Sequence, residues 1–245
     1  MASEFPVVLI TGAGKRIGAA LASHLHARGF GIALHCHQSH QHADALAAGF
    51  NGVRSGSALV LCADLADSRA RDALIPEVLA EFGRLDVLIN NASTFFPTPV
   101  GTATDADWDA LFDANARAPW FLSQAAAPHL AAQGGCIVNL LDIYAERPKP
   151  KHAVYGMAKA AQRQMTKALA LELAPAVRVN GIAPGAILWP EAGMSAEQQQ
   201  ALLAATPLAR MGTVEDICAA AEFLIERALF CTGQILDVDG GRLLR

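Results

Sequence analysis

The sequence predicts an α/β protein with a doubly wound parallel sheet of about seven strands and helices on both faces. Seven short runs are apolar almost throughout, which is typical of strands that are buried on both faces. Longer segments with helical apolar spacing separate several of these runs, and such alternation favours parallel strands joined by right-handed crossovers. No stretch rich in Pro, Gly or Ser divides the 245 residues, so we expect a single domain over residues 1–245.

The seven apolar runs define the predicted strands in chain order. They are Val7–Thr11, Gly31–Cys36, Ala58–Ala63, Leu85–Asn90, Cys136–Leu141, Val177–Ile182 and Gln234–Val238. The clearest helical patterns lie between them, at Ile17–Arg28, Arg69–Phe82, Trp108–Ala132 and Ala153–Leu173. Helices of this length between buried strands can cover both faces of the sheet.

Two segments interrupt the alternation of strands and helices. Thr94–Asp105 is rich in Pro and Thr, and Pro184–Pro207 surrounds a short Gln-rich helical piece, Ser195–Ala205. Both follow carboxyl ends of strands, where open α/β sheets bind ligands. We therefore expect them to form the walls and the lid of a pocket, with plain surface loops as the alternative.

Composition and charge exclude several classes of protein. Hydrophobic residues make up 53% and charged residues 17%, which is too apolar for a disordered chain. Nineteen basic against 23 acidic side chains give a net charge of −4, without the basic stripe of a nucleic-acid binder. No apolar run approaches the roughly 18 residues of a membrane helix, and we expect no secretory signal because the first residues lack a basic region and a long apolar region. Five scattered cysteines without a CxxC pair favour a reducing cytoplasm.

The first predicted strand runs into a glycine-rich turn, Thr11–Gly18, and a helix follows. Glycines such as Gly12 permit a tight turn and let the backbone approach a diphosphate, whose charge is stabilised at the helix N-terminus. The position of this turn at the start of a βαβ unit predicts a Rossmann-type dinucleotide site. A turn without a ligand is the alternative.

The end of the second strand favours NADP over NAD. An acidic residue there would bind the ribose hydroxyls and repel a 2′-phosphate, but no Asp or Glu occurs before Asp44. Lys15 can supply positive charge from the glycine-rich turn. The polar side chains predicted to contact the phosphate are His35, His37, Gln38 and Ser39, with ordinary surface polarity as the alternative.

Paired histidines also raise the question of a metal. His24 and His26, His35 and His37, and His40 and His42 each form an HxH pair. In a helix such a pair does not face one ligand, and no carboxylate or cysteine completes a set at metal-ligand spacing. We therefore expect no dedicated metal site.

Tyr155 and Lys159 form the most informative pair for chemistry. They lie four residues apart at the start of a long helical segment and so share one face. A nearby ammonium favours the phenolate, and we expect it to lower the pKa of Tyr155 enough for proton transfer near neutrality. An amphipathic Tyr beside a solvated Lys is the alternative from spacing alone.

Taken together, these motifs resemble the short-chain dehydrogenase/reductase family over essentially the whole chain. The resemblance implies that Asn115 holds a water relay behind Lys159 and that Lys159 and Tyr155 contact the nicotinamide ribose. It also implies that the cofactor lies along Asn90 and a further set of residues. These are Ile17, Asp64, Leu65, Asn91, Ala92, Ser93, Pro184 and Gly185.

Two departures from the family pattern point to one of its branches. Arg16 stands at the second glycine of the usual turn, and Asp142 stands at or next to the place of the catalytic serine. Together with Ser93, Phe95 and the ending Asp239–Arg245, they resemble the pteridine reductases and the bacterial dihydromonapterin reductases. Arg16 would hold phosphate and substrate, Ser93 the cofactor or the pterin edge, and Phe95 would stack on the ring.

The resulting hypothesis is an NADPH-dependent pteridine reductase that reduces dihydropterins, with oxidised pterins and dihydrofolate as further candidate substrates. Asp142, Tyr155, Lys159 and Asn115 would carry the chemistry, and Leu188 would contribute an apolar wall to the substrate pocket. The alternatives are a generic short-chain carbonyl reductase or alcohol dehydrogenase, an inactive relative, and a non-catalytic NADP-binding regulatory protein. The resemblance also implies a homotetramer.

Overall fold

A computed structural model describes residues 3–189 and 193–245 of the chain. Seven parallel strands form one sheet in the order β3-β2-β1-β4-β5-β6-β7. The strands are β1 Val7–Ile10, β2 Gly31–Cys36, β3 Ala58–Cys62, β4 Val87–Asn90, β5 Cys136–Leu140, β6 Arg178–Pro184 and β7 Ile235–Val238. The predicted seven-stranded doubly wound sheet is confirmed, with strand ends that differ by up to two residues.

Eight α-helices connect the strands within the described ranges. They are α1 Arg16–Ala27, α2 His40–Val53, α3 Ser68–Phe82, α4 Asp105–Phe112, α5 Ala118–Gln133, α6 Ala153–Leu173, α7 Ala196–Ala204 and α8 Val214–Glu222. The helices α2 and α8 were not among the predicted ones. None of the described helices combines the length and the apolarity that a membrane span requires.

The core is divided by the sheet into two layers. Alternate residues of β1 point to opposite faces of the sheet. Val8 packs in the layer beneath α1 and α8, and Leu9 packs in the layer beneath α3, α5 and α6. Every residue of β1 is inaccessible to solvent. The near-continuous apolar runs are thus explained by burial on both faces.

The predicted helix Trp108–Ala132 is in fact two helices joined by a π turn. The first, α4, begins at a capping box between Thr104 and Asp107, and the π turn Asp113–Arg117 follows it directly. The second, α5, ends at Gly134 in the left-handed conformation. Such π turns often occur at functional sites, and this one carries the buried side chain of Asn115.

Strand order reverses at β1, whose neighbours are β2 and β4. Loops that leave these strands diverge there and open a crevice at the carboxyl edge of the sheet. The segment Pro184–Pro207, which we expected to cover this crevice, includes α7, but residues 190–192 lie outside the described ranges. The capping box between Ser195 and Gln198 explains why α7 starts where the sequence predicted.

Candidate active site

The loops after β1 and β4 are bound to each other by hydrogen bonds. The Thr11 hydroxyl accepts from the backbone amides of Asn91 and Ala92, each at 2.9 Å. In return, the Asn91 side-chain amide donates to the carbonyls of Thr11 at 2.8 Å and Gly12 at 3.1 Å. The two loops therefore form one rigid floor at the strand-order reversal.

Two glycines make this floor possible. Gly12 has φ +65°, a left-handed conformation that favours glycine, and a Cβ there would lie 3.0 Å from the Cα of Ala92. Gly18 packs on the same turn, where a Cβ would lie 2.2 Å from the Gly12 carbonyl oxygen and 2.7 Å from the Asn91 side-chain nitrogen. A side chain at either position would displace the turn.

We expect the Gly18→Ala substitution to weaken binding of the predicted dinucleotide cofactor about tenfold or more, because a displacement of the turn that costs about 1.4 kcal/mol already lowers affinity by a factor of ten. The atom nearest to the added methyl group is a backbone oxygen, at 2.2 Å, so the turn itself must move. Isothermal titration with NADPH measures this loss. Gly49→Ala is the matched control, since a Cβ there has no atom within 4 Å. Equal affinity of the two variants would contradict the prediction.

A groove of about 920 Å³ runs along the carboxyl edge of β1, β2 and β4. Most of the residues predicted to hold a cofactor lie along this groove, and they come from four separate segments of the chain. These residues are Gly12, Lys15, Arg16, Ile17, His35, His37, Gln38, Ser39, Asp64, Leu65, Asn91, Ala92 and Ser93. Tyr155, Lys159, Pro184 and Gly185 lie outside this lining.

His35 has a different place from the predicted one. Its ring is buried, its Nδ1 accepts from the amide of Gly12 at 3.2 Å, and its Nε2 donates to the carbonyl of Ala63 at 3.1 Å. Burial lowers the pKa of His35 to about 4, so the ring is neutral at neutral pH. With both nitrogens bound to backbone, His35 braces the glycine-rich turn rather than donating to a phosphate, which corrects the prediction.

The exposed residues at the end of β2 remain available to a ligand. His37 is exposed, and its Nε2 lies 4.0 Å from a carboxylate oxygen of Asp64. Ser39 packs so closely on Gly14 that a Cβ at Gly14 would lie 2.2 Å from the Ser39 hydroxyl oxygen. The groove therefore presents a histidine, a hydroxyl and the exposed Lys15 at the end where a 2′-phosphate is expected.

Asp142 and Tyr155 form a hydrogen-bonded pair beside the groove. The Tyr155 hydroxyl donates to Oδ2 of Asp142 at 2.8 Å, and the backbone amide of Tyr144 donates to Oδ1 at 2.9 Å. Asp142 follows β5 and caps a short 3₁₀ turn, while Tyr155 lies in the first turn of α6. Packing of α6 against the turn after β5 thus joins two residues that are thirteen positions apart.

The pKa of both members of this pair is raised. Burial raises the pKa of Asp142, against the opposing effects of the Tyr144 amide, the Tyr155 hydroxyl and two lysines. Burial and then the Asp142 charge raise the pKa of Tyr155 well above its ordinary value, which a hydrogen bond with Ser93 only partly opposes. The expectation of a lowered pKa for Tyr155 is therefore wrong in this structure. The phenol therefore keeps its proton at neutral pH and shares it in the hydrogen bond with Asp142.

Lys159 is buried, and its ammonium group is held by other partners. Nζ donates to the carbonyl of Leu140 at 2.8 Å and to Oε1 of Gln162 at 3.0 Å. Burial lowers the pKa of Lys159 to about 8, while the charge of Asp142 opposes this shift. The sequence argument missed Gln162, although its position three residues after Lys159 places it on the same helix face.

The lowered pKa of Lys159 predicts a pH-dependent stability. Between about pH 8 and the ordinary value of 10.5, the unfolded chain binds a proton that the folded chain lacks, so stability rises with pH. Below about pH 8, Lys159 is protonated in both the folded and the unfolded chain, so the free-energy cost of burying its charge no longer changes with pH. Relative to Lys159→Met, we expect wild type to gain about 1–3 kcal/mol between pH 7 and pH 10.

Urea unfolding of both proteins at the two pH values measures this gain. The matched control is Lys167→Met, which removes an exposed lysine from the same helix and should leave the pH dependence unchanged. Parallel pH profiles of wild type and Lys159→Met would contradict the prediction.

The side chain of Asn115 has direct hydrogen-bond partners, and the water relay behind Lys159 stays a prediction. Its side-chain nitrogen donates to the carbonyls of Thr94 at 2.9 Å and Leu111 at 2.8 Å, and its Oδ1 accepts from the Ser93 hydroxyl at 2.6 Å. Within the described ranges, Lys159 has no hydrogen bond with it. Asn115 therefore positions Ser93 and the loop after β4.

A chain of buried polar side chains links β4 to the catalytic helix. Asn90 donates to Oδ1 of Asn139 at 2.8 Å, Asn139 donates to the Thr166 hydroxyl at 2.9 Å, and Thr166 donates to the carbonyl of Gln162 at 2.9 Å. Asn90 points inward, which corrects the expectation that it lies along the cofactor. The chain leads to the partner of Lys159 and so fixes α6 against the sheet.

Phe95 lies beside Tyr155, although its ring already has other partners. Its ring stacks on His152 at a centroid distance of 4.6 Å and meets Tyr155 edge to face at 4.7 Å. Nζ of Lys149 lies 4.6 Å from the Phe95 centroid. The Phe95 side chain remains 48% exposed, so a flat ligand can still contact it. Neither His152 nor Lys149 was singled out from the sequence.

Arg16 connects the glycine-rich turn to the loop after β6. It adopts φ +54°, the left-handed conformation that the replaced glycine would favour, and both terminal nitrogens reach the Trp189 carbonyl at 3.3 and 3.4 Å. Leu188 is 37% exposed next to this contact. Pro184 ends β6, and a Cβ at Gly185 would lie 2.7 Å from the Cα of Asp239, so these two residues pack on the C-terminal strand.

The fold and this site define a Rossmann-type oxidoreductase. Residues 12–242 match the family model described as enoyl-(acyl carrier protein) reductase. The chain belongs to the short-chain dehydrogenase/reductase family, whose members use nicotinamide cofactors and act on small molecules.

Several relatives align over nearly their whole length. The chain is 35% identical to pteridine reductase 1 of Leishmania tarentolae, over 96% of each chain. It is also 35% identical to L-xylulose reductase of Bos taurus, over 96% of this chain and 95% of the relative. Identity to 3-oxoacyl-(acyl-carrier-protein) reductase of Staphylococcus aureus is 32%, over 95% and 96% of the two chains. The relatives therefore span several substrate classes.

Proposed function

We propose that the protein is an NADPH-dependent reductase of dihydropterins. The observation that carries this proposal is the 2.8 Å hydrogen bond from Tyr155 to Asp142, a carboxyl group at the position where the family pattern has a serine. Reduction of a pterin at a C=N bond requires a proton on nitrogen as hydride reaches carbon. The Asp142 carboxyl is a titratable group that is hydrogen-bonded to the Tyr155 phenol and can relay a proton to it, whereas a serine hydroxyl does not titrate near neutral pH.

The groove residues fit a dinucleotide cofactor. Gly12 and Gly18 leave room for a diphosphate to approach the backbone, and α1 begins immediately afterwards at Arg16. When bound, NADPH supplies the hydride. Lys15 and His37 would face the 2′-phosphate, and the described part of β2 and its following loop carries no acidic side chain before Asp44.

The substrate would lie between the groove and the loop after β6. Phe95 offers an aromatic surface for a flat bicyclic ring, and Ser93 offers a hydroxyl that Asn115 holds in place. Arg16 would donate from its guanidinium, and Leu188 would form an apolar wall. The segment Pro184–Pro207 would exclude water from the reaction.

The test of this proposal is turnover of a substrate panel with purified protein. NADPH oxidation is followed with dihydrobiopterin, dihydromonapterin, oxidised biopterin and dihydrofolate, and NADH is compared with NADPH on the best substrate. We expect a dihydropterin to give the highest kcat/KM, with NADPH preferred. Absence of turnover on every pterin would overturn the proposal.

A second candidate function is reduction of a carbonyl group. Similarity to the L-xylulose and 3-oxoacyl-(acyl-carrier-protein) reductases favours it, since these relatives match at nearly the same identity as the pteridine reductase. Aldehydes, ketones and a 3-oxoacyl thioester therefore belong in the same panel. Turnover restricted to carbonyls would favour this candidate, and cofactor binding without turnover would favour a regulatory protein.

We also propose a cytoplasmic homotetramer. Large apolar side chains are exposed on the helices that precede and follow β5, including Trp108, Phe121, Met157 and Leu171. Contact between copies would bury this surface. Light scattering coupled to size-exclusion chromatography measures the mass, and a monomer would contradict the proposed assembly.

A further inference from the structure

Cys36, His40 and Cys62 form a cluster of metal-ligating side chains outside the catalytic centre. Sγ of Cys36 lies 3.3 Å from Sγ of Cys62, Nδ1 of His40 lies 2.7 Å from Sγ of Cys62, and Nδ1 lies 3.9 Å from Sγ of Cys36. All three donor atoms lie within 4.8 Å of one another. The two cysteines are free thiols.

The fold itself creates this cluster. Cys36 and Cys62 are the last residues of β2 and β3, and they are direct partners in the parallel register. His40 is the first residue of α2, which begins four positions after Cys36. Strand pairing therefore brings together ligands that lie 26 positions apart, which is why no metal-ligand set was found at local spacing in the sequence.

Two thiolates and one imidazole suit a thiophilic cation such as Zn²⁺. With Zn–S bonds of about 2.3 Å and Zn–N bonds of about 2.0 Å, tetrahedral ligand atoms lie roughly 3.5–3.8 Å apart. The three observed separations of 3.3, 2.7 and 3.9 Å are each within about 1 Å of that range. His40 and Cys62 are exposed, so rotation of their side chains can adjust the geometry and water can take the fourth position.

We propose that Cys36, Cys62 and His40 bind one Zn²⁺ ion, which links the N-terminus of α2 to the carboxyl ends of β2 and β3. The three ligands alternate in sequence with groove residues, because His37 and Ser39 lie between Cys36 and His40, and Asp64 follows Cys62 by two positions. The metal therefore holds the loop that forms the far end of the groove. It is a structural site, separate from the reacting atoms at Tyr155.

Metal binding to the full-length protein tests the proposal without any turnover assay. The reduced protein is stripped with chelator, titrated with Zn²⁺, and its bound metal is measured by mass spectrometry after gel filtration. Co²⁺ serves as a second probe, since tetrahedral thiolate coordination gives an intense visible spectrum. We expect one equivalent of Zn²⁺ per chain, a thiolate-type Co²⁺ spectrum, and a Tm that rises with Zn²⁺ concentration.

Matched variants separate this site from adventitious binding. Cys62→Ser and His40→Ala remove exposed ligands and should abolish the bound equivalent and the Tm shift. His42→Ala removes an exposed histidine from the same helix, and Cys231→Ser removes a cysteine outside the cluster, so both should keep the metal. Retention of Zn²⁺ by Cys62→Ser and His40→Ala would overturn the proposal. So would failure of the reduced wild type to bind Zn²⁺, or recovery of Cys36 and Cys62 only as a disulfide.

Discussion

The Tyr155→Phe substitution is expected to lower kcat for a dihydropterin by about 10²–10⁴, the usual contribution of a positioned general acid. The phenol lies next to Asp142 and is protonated at neutral pH, because burial and the neighbouring charge raise its pKa. Removing the hydroxyl deletes the only atom of this side chain that can deliver a proton. Steady-state NADPH oxidation with dihydrobiopterin and dihydromonapterin measures the loss.

Two measurements show whether the lower kcat of Tyr155→Phe arises in the proton-transfer step. Affinity for NADPH should change much less than kcat, since Tyr155 is predicted to contact only the nicotinamide ribose and the described lining of the groove is kept. Tyr144→Phe removes the other tyrosine hydroxyl of the chain and should retain wild-type turnover. If Tyr155→Phe kept more than about a tenth of the wild-type kcat, Tyr155 would not be the proton donor.

The Asp142→Ser substitution restores the residue type of the family pattern and is expected to separate the two candidate functions. A serine hydroxyl can orient a carbonyl oxygen but cannot return a proton to Tyr155 at neutral pH. We therefore expect kcat/KM for dihydropterins to fall about 100-fold or more, while turnover of ketones in the same panel is kept or increased. Asp142→Asn, which keeps the shape but not the acid, should lose pterin turnover to a similar degree.

Folding should tolerate this change. The Asp142 side chain accepts from the amide of Tyr144 at the start of a 3₁₀ turn, and serine is also a good cap. Because burial raises the pKa of Asp142, its carboxyl group favours the folded state at acid pH and loses that effect as pH rises. At neutral pH the Tm of Asp142→Ser should therefore be no lower than that of wild type. Full pterin turnover by a stable Asp142→Ser protein would refute the proposed role of the carboxyl group.

Periodicity in the sequence was sufficient to predict the sheet and most of its helices. Runs such as Val7–Ile10 are apolar at every position because helices cover both faces of the sheet. An uninterrupted apolar run in the sequence therefore predicts a strand that is buried on both faces. The helix through Trp108 was predicted as continuous because its apolar spacing continues through Asn115. The π turn there changes the hydrogen-bond pattern without changing the pattern of apolar residues.

Short-range motifs also placed most of the groove. The glycine-rich turn lies where a strand must give way to a helix, so its position in the fold follows from local order alone. His35 was misjudged because its polarity is visible in the sequence while its burial is not. Only the packed loop shows that the Gly12 amide and the Ala63 carbonyl already occupy both ring nitrogens.

By itself, the amino-acid sequence determined the fold class, the glycine-rich turn and the Tyr155–Lys159 pair, since each depends on local spacing, and the resemblance to the family added Asp142 as a candidate. Tertiary structure decided which groups meet. Strand pairing joined Cys36 to Cys62, and packing of α6 on β5 buried Lys159 beside Gln162 and directed Tyr155 to Asp142. The directions of the pKa shifts followed from the same packing, because burial and then the charge of Asp142 raise the pKa of Tyr155, while burial lowers the pKa of Lys159. Such contacts and the exclusion of water depend on distances between segments far apart in the chain, which no local pattern encodes.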